Sequence, residues 1–224
     1  MGLIFVSATR LSEIEFRQQA PLFRSLQRIG TISPIGLQVF YANQRPLADC
    51  YNEVIEQAAA EDILVFVHDD VWIDDFFIAT RLAEAFRQFD VVGLAGNQRR
   101  QLKQFNWFFA PGTGQADQGF LSGAVSHGQP GSGIPAVFGA VPAEVRLLDG
   151  VFIAVLASTL KQSGVRFDRQ FAFHFYDTDF CRSCEQAGLK IGTWPIAITH
   201  ASGGNYNSAA FKQTKALYWQ KWLE

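Results

Sequence analysis

The stretch that decides the fold is "ILVFVHDDVWIDD", residues 63–75. Its first five residues are all apolar and mostly β-branched or aromatic, which predicts a buried strand. His68, Asp69 and Asp70 follow this strand directly, although uncompensated charge at the end of a buried strand is costly. These three side chains therefore need a partner, and they are the first candidates for a functional site.

The segments around this stretch alternate between strand and helix patterns. Apolar runs at residues 2–8, 36–42 and 90–96 predict further strands. Amphipathic stretches between them predict helices, and Pro21 divides the first stretch into two. Repeated strand and helix units predict an α/β fold with a mainly parallel central sheet covered by helices on both faces. Such sheets bind ligands at the carboxyl ends of their strands, which is where Asp69 and Asp70 lie.

Length and composition indicate one globular domain spanning residues 1–224. Hydrophobic residues make up 48% of the chain and charged residues 18%, unlike a disordered protein. The net charge of -2 argues against a nucleic-acid partner. We expect no signal peptide and no integral membrane segment, and three cysteines do not form a disulfide framework. A cytoplasmic protein is the expectation, with peripheral membrane contact left open.

The second half of the chain is less regular. The Gly-rich segment at residues 96–135 is too long for an ordinary connection, and both a functional lid and a mobile surface insertion are open interpretations. After it we predict one or two strands, then a helix from about Phe152. A C-terminal helix is predicted at residues 205–224. We favour docking of its aromatic residues Tyr218, Trp219 and Trp222 against the sheet over contact with a membrane.

Two further positions could join Asp69 and Asp70 in a site. Asp177 and Asp179 lie at the start of a predicted helix, where capping is the simpler interpretation. His200 ends a strand and precedes "ASGG", whose glycines, Gly203 and Gly204, allow close approach of a ligand. If these strand ends converge on one crevice, they supply a divalent cation site, a general base and a third ligand.

Other reactive side chains have simpler explanations. Cys181 and Cys184 form a single CxxC, and their spacing favours packing on one helix face over a zinc site. His174 either lines the acceptor side of a site or is a hydrogen-bonded core residue.

Several segments in order resemble a nucleotide-sugar glycosyltransferase of the GT-A fold. They are "LADCYNEVIEQAAAEDILVFVHDDV", "VVGLAGN", "LLDGVFIAV", "FDRQFAFHFYDTDFCRSCEQAGLKIG" and "ITHASGG". The chain is most similar to the family-2-like group, which includes proteins resembling streptomycin biosynthesis proteins. The resemblance covers most of the chain up to His200 and is weakest in the Gly-rich segment. It implies a Rossmann-like three-layer α/β/α sandwich.

The resemblance also implies roles for individual residues. "HDD" takes the place of the DxD motif, with His68 where the family has the first acid and no role assigned to it. Asp69 would contact the donor, and Asp70, with His200, would bind Mn or Mg. Asp177 falls on the catalytic base, with Tyr176 where the family has glutamate. Ser7, Arg10, Asn43, Asp149 and Gly150 would complete the donor site, with His174, Tyr176 and Asp179 on the acceptor side.

The implied activity is inverting, non-processive transfer of a sugar from a nucleotide-sugar donor. The acceptor would be a saccharide, a lipid-linked molecule or a small molecule, and a homo-oligomer stays open. Two alternatives remain. Paired aspartates with a metal also suit a nucleotidyltransferase or phosphohydrolase, although no Gly-rich phosphate loop is present. The second alternative is a non-catalytic module that binds sugar nucleotides.

Overall fold

The computed structural model describes residues 2–202 and 208–223. Within them the larger sheet has seven strands, in the order β2-β1-β3-β11-β5-β12-β9. These strands are β1 (Leu3–Ala8), β2 (Gly36–Phe40), β3 (Ile63–Val67), β5 (Val91–Gly93), β9 (Ala143–Glu144), β11 (Phe152–Leu156) and β12 (Ile191–Thr193). The α/β fold is confirmed.

The larger sheet is mainly parallel, as expected, but not purely so, since five of its seven strands run in one direction and two run against them. β1 pairs in parallel with β2 and β3, and β12 pairs in parallel with β5. β11, however, runs antiparallel to both β3 and β5 and sits in the middle of the sheet. The predicted helix from about Phe152 is therefore wrong at its start. A short buried apolar run such as "FIAVL" fits a strand and a helix equally well by periodicity.

A smaller sheet packs beside the first, in the order β10-β6-β7-β13-β4, with β8 added to β7. Its strands are β4 (Val71–Ile73), β6 (Ala95–Asn97), β7 (Leu121–His127), β8 (Ile134–Gly139), β10 (Leu147–Leu148) and β13 (Ile198–His200). Part of the Gly-rich segment is thus sheet, since it contains β7 and the adjoining ends of β6 and β8, and β7 bonds both β6 and β13.

Apart from the start of the helix after β11, the helices follow the predicted pattern. They are α1 (Glu13–Gln19), α2 (Pro21–Ile29), α3 (Leu47–Gln57), α4 (Ile78–Ala85), α5 (Ala157–Ser163), α6 (Tyr176–Gln186) and α7 (Ala209–Trp222). Pro21 begins α2, so the predicted division of the first amphipathic stretch is confirmed. A capping box between Ser12 and Glu15 starts α1.

The C-terminal helix α7 docks on the body of the protein. Tyr218 is fully buried, with its ring 5.1 Å from Phe175 and 6.2 Å from Phe171. Trp219 and Trp222 are partly buried against the same core. Docking is thus observed for Tyr218, although its ring packs on the segment before α6 and not on the sheet. Across residues 2–202 and 208–223, none of the helices is both long and apolar enough to span a bilayer.

Strand registers explain why distant residues converge. Val67 of β3 pairs with Phe152 of β11, so the end of β3 meets the start of the antiparallel strand. His200 of β13 pairs with Val71 of β4, directly after Asp70. The carboxyl end of β3, the loop before β11 and the end of β13 therefore meet at one edge.

Candidate active site

Two adjoining cavities open at this edge. The first has a volume of about 560 Å³ and is lined by residues from β3, β7, α6 and the loop before β11. The second, of about 430 Å³, lies between the end of β1 and the start of α3. Asp69 lines both cavities and marks their junction.

His68, Asp70 and His200 form a cluster on the wall of the first cavity. One potential ligand atom from each lies within 4.8 Å of the others, and His200 Nε2 is 3.2 Å from Asp70 Oδ1. Two imidazoles and one carboxylate are a donor set that suits a divalent transition metal. These residues therefore fit a cation, as predicted for Asp70 and His200. The sequence left the role of His68 open, and the structure puts it in the same cluster.

The charges of the cluster are set by burial and by the Asp70–His200 pair. Burial alone raises the pKa of Asp70, but the hydrogen bond and charge of His200 outweigh it and hold that pKa below its usual range. Burial lowers the pKa of His200, yet the bond to Asp70 outweighs it and raises that pKa overall. Burial lowers the pKa of His68, and His200 lowers it further, which favours a neutral imidazole.

Asp177, in the first turn of α6, is the second reactive group on this cavity. Burial raises its pKa from 3.8 to about 6, and the neighbouring charge of Asp149 adds to the rise. Two backbone donors hold the carboxylate in place. The N–H of Gly150 donates to Oδ2 over 3.0 Å, and the N–H of Thr178 donates to Oδ1 over 2.8 Å. A fixed carboxylate that titrates near neutral pH is suited to act as a general base.

Gly150 links this carboxylate to the cation cluster. Its carbonyl accepts a hydrogen bond of 2.8 Å from the Tyr176 hydroxyl, whose oxygen is also 3.1 Å from His68 Nε2. A Cβ atom at position 150 would collide with that hydroxyl, so the close approach requires glycine. Asp149 accepts from the N–H of Val151 and so closes the turn before β11.

The second cavity gathers three of the six predicted donor-site residues, and Asp149 and Gly150 line the first cavity instead. Arg10 and Asn43 line it with Asp69, and Arg10 Nη1 donates to the Asn43 carbonyl over 2.6 Å. Thr9 donates its hydroxyl hydrogen to Asp69 Oδ2, which orients that carboxylate. Ser7 is fully buried inside β1 and lines neither cavity, so the structure does not place it with the other donor-site candidates.

Two predicted acceptor-side residues have different surroundings. His174 lines the first cavity, and its Nε2 is 3.4 Å from the hydroxyl of Ser208. Asp179 is fully buried and bonds Lys221 at 2.7 Å and Trp222 at 2.9 Å, so it anchors α7 instead of facing the cavity. Gly203 and Gly204 lie outside the described residues.

The cysteines of α6 behave as packing residues. Cys181 and Cys184 are both buried and reduced, and burial raises the pKa of both thiols. Cys181 accepts a backbone hydrogen bond from Leu148. The preference for packing over a zinc site is consistent with this environment.

Sequence reasoning missed an aromatic part of the lining of the first cavity. We call it the aromatic wall, and it consists of Phe105, Trp107, Phe108, Phe109, Phe138 and Phe211. Neighbouring rings are in contact, with centroids 4.9 Å apart for Trp107 and Phe138 and 5.9 Å for Phe105 and Phe211. His127 also lines the cavity. The dense aromatic run "FNWFF", residues 105–109, was the available signal.

Comparison with known proteins gives a family and a fold. The model of a family described as "Glycosyltransferase like family" matches residues 23–214. No curated protein sequence matches the chain significantly.

Two solved structures share the fold at low identity. A mutant Drosophila β-1,4-galactosyltransferase 7 in complex with manganese, UDP-Gal and xylobiose is 9% identical, with a TM-score of 0.52 over 96% of this chain and 79% of that chain. GalNAc-T7 with UDP, GalNAc and Mn²⁺ is 10% identical, with a TM-score of 0.54 over 98% of this chain and 48% of that chain. The chain thus has the GT-A fold.

Proposed function

Because the chain belongs to the glycosyltransferase-like family, we propose that it transfers a sugar from a nucleotide-sugar donor to an acceptor hydroxyl with a divalent cation. The observation that carries this proposal is the sharing of one cavity by Asp177 and the cluster of His68, Asp70 and His200. A base and a cation site side by side meet the two requirements of a displacement at the anomeric carbon. Transfer is inverting, with one sugar per encounter.

Asp177 accepts the proton from the acceptor hydroxyl. The oxygen then forms a bond to the anomeric carbon, while the bond from that carbon to the nucleoside diphosphate breaks. A pKa of about 6 leaves the carboxylate ionised at neutral pH yet basic enough to take up a proton. The N–H groups of Gly150 and Thr178 hold it in position, so little reorganisation accompanies the transfer.

The cluster of His68, Asp70 and His200 would hold the cation. A bound divalent cation supplies electrostatic stabilisation of the charge that develops on the departing diphosphate. Two imidazole nitrogens favour Mn over Mg, since Mg prefers oxygen ligands in an octahedral arrangement. The two fold neighbours that contain manganese are consistent with this preference.

The second cavity is the proposed site of the nucleoside. Arg10 and Asp69 offer it a cation and a carboxylate around a volume of about 430 Å³. Asn43 shapes the wall, since its side-chain amide is bonded to the backbone of Arg45. Asp69 lies at the junction with the first cavity, where a donor that spans both would place its ribose or diphosphate.

The aromatic wall supports an acceptor with an apolar body. Phenylalanine rings offer no hydrogen-bond partner to sugar hydroxyls, so a bare saccharide would lose hydrogen bonds to water there. Asn106 is the polar exception, since it is buried on the same cavity and its Nδ2 finds no partner among the described residues. Of the three acceptor types, this wall favours a lipid-linked or aromatic molecule. A long-chain alkyl glycoside should accept sugar where the free monosaccharide does not.

A thermal-shift panel of nucleoside diphosphates and nucleotide sugars, each with and without Mn²⁺, tests the donor site. We expect one nucleotide to stabilise the protein in a Mn-dependent manner and Asp70→Ala to abolish the nucleotide-dependent part. Stabilisation that survives this substitution would exclude the assigned cation site. Cleavage of the nucleoside diphosphate itself, without sugar transfer, would favour the phosphohydrolase alternative. Donor binding without any turnover would favour the binding module.

A further inference from the structure

We propose that Tyr176 is a positioning residue that fixes the tautomer of His68 and so leaves Nδ1 of that imidazole as the cation ligand. The inference rests on the cation of the proposed function, and it assigns roles to two side chains that depart from the family pattern. Both are remote in sequence yet adjacent at the site, with the Tyr176 hydroxyl oxygen 3.1 Å from His68 Nε2.

The direction of the hydrogen bonds follows from the valence of each group. A tyrosine hydroxyl has one hydrogen, and a backbone carbonyl can only accept. The 2.8 Å bond between Tyr176 and the Gly150 carbonyl therefore uses that hydrogen. The hydroxyl oxygen can then only accept from His68, so the hydrogen of this contact belongs to Nε2.

This assignment decides which ring nitrogen can bind a cation. A neutral imidazole carries one N–H, and the other nitrogen has the lone pair that serves as a ligand. With the hydrogen on Nε2, the ligand is Nδ1. The arrangement is the one by which metal-binding histidines are usually fixed, where a partner group on the second nitrogen sets tautomer and ring orientation.

The surroundings of Tyr176 make the constraint rigid. Its side chain is only 4% exposed, and its ring lies 6.0 Å from Tyr51 and 6.1 Å from Phe167. Gly150 admits the hydroxyl because it has no Cβ. A tyrosine whose only hydrogen is already donated inside the protein is unsuited to bind the acceptor as a donor. Its position is better explained by its effect on His68.

The first test is made on the wild-type protein and does not depend on a variant that folds. A long-range ¹H–¹⁵N spectrum of histidine-labelled protein distinguishes protonated from bare ring nitrogens in its four histidines. His68→Asn identifies the His68 signals. We expect a protonated Nε2, a bare Nδ1, and paramagnetic broadening of the His68 and His200 signals by substoichiometric Mn²⁺. A hydrogen on Nδ1 would overturn the inference.

The second test measures Mn²⁺ affinity from the electron paramagnetic resonance of the free ion, without nucleotide. Tyr176→Phe removes the hydroxyl and should weaken Mn²⁺ binding about 10- to 100-fold, the usual effect of losing such a partner. Tyr51→Phe removes a hydroxyl from a neighbouring buried tyrosine and should leave the affinity unchanged.

A His68→Asp background separates positioning from general damage. A carboxylate has no tautomer to fix, so adding Tyr176→Phe to His68→Asp should change Mn²⁺ affinity less than twofold. An equal loss in both backgrounds would show that Tyr176 supports only the fold. Unchanged affinity in Tyr176→Phe alone would also overturn the inference, but sugar transfer would stand. A wild-type protein that binds no Mn²⁺, with or without nucleotide, would overturn this inference and the proposed cation together.

Discussion

Asp177→Asn should stabilise the protein at neutral pH while strongly slowing sugar transfer. The pKa of this carboxyl rises from 3.8 to about 6 on folding, chiefly through burial. Because the folded state binds the proton more tightly, ionisation destabilises the fold progressively as pH rises through that interval. Above pH 6 the cost reaches about 3 kcal/mol at most, since each pKa unit is worth about 1.4 kcal/mol. A neutral amide avoids this cost.

The asparagine is not an ideal replacement. Its amide oxygen can accept from one of the two backbone N–H groups of Gly150 and Thr178, but its NH₂ group then faces the other. That mismatch costs about 1–2 kcal/mol. The net expectation is a gain of about 1–2 kcal/mol in the free energy of unfolding at pH 7.5 and a loss of similar size at pH 4. Transfer should fall by about 10²- to 10⁴-fold, with donor affinity unchanged.

Urea unfolding, followed by tryptophan fluorescence at the two pH values, measures the expected gain and the expected loss in the free energy of unfolding. Asp168→Asn is the matched control, because burial raises the pKa of Asp168 but its bond to Lys221 outweighs this and lowers that pKa overall. That variant should lose stability at pH 7.5. If Asp177→Asn were less stable than wild type at pH 7.5, or its advantage did not reverse on acidification, it would be wrong that the buried, ionised carboxylate of Asp177 destabilises the fold.

Three further outcomes follow from the same contacts. Gly150→Ala should weaken Mn²⁺ binding by about 10-fold or more and lower kcat, because its Cβ displaces the tyrosine hydroxyl; titration and steady-state kinetics measure both. In the wild-type enzyme, kcat/KM should rise with pH through about 6 and then level off as Asp177 ionises, so a profile falling over pH 5–7 would contradict its role as base. Lys221→Met should destabilise the fold by about 2–4 kcal/mol in urea unfolding, because the buried Asp179 keeps only its bond to Trp222 and loses its counter-charge, and Asp168 loses its ion pair too; Lys212→Met, on the exposed face of the same helix, should be nearly neutral.

The sequence predicts the edge of the sheet at which the site forms, because charged residues after a buried strand need a partner there. It therefore identifies Asp69, Asp70 and His200. It does not predict that β11 lies antiparallel to β3, since a short buried strand has no distinctive period. That strand nevertheless brings Gly150 beside the end of β3.

The role of His68 and the aromatic wall depend on contacts that local pattern does not contain. The hydroxyl that holds His68 belongs to a residue 108 positions away. The aromatic wall comes from a segment whose Gly-rich surroundings indicate a loop, together with Phe138 of β8 and Phe211 of α7. For Asp179, the local pattern suggests a place in the site that the contacts do not support. Its acidic position at a helix start resembles that of Asp177, yet the helical turn directs it to Lys221 and away from the cavity.

The backbone of Gly150 couples the two halves of the proposed mechanism through the two peptide groups on either side of its Cα. Its N–H holds the base Asp177, and its carbonyl takes the hydrogen of Tyr176 and thereby fixes the ligand atom of His68. A displacement of this one residue would move the proton acceptor and the cation site in the same step. Tyr176, which stands where the family has glutamate, therefore does not impair Asp177 as the base. Since the histidine before Asp69 needs a hydrogen-bond acceptor on Nε2, the two departures from the family pattern support each other.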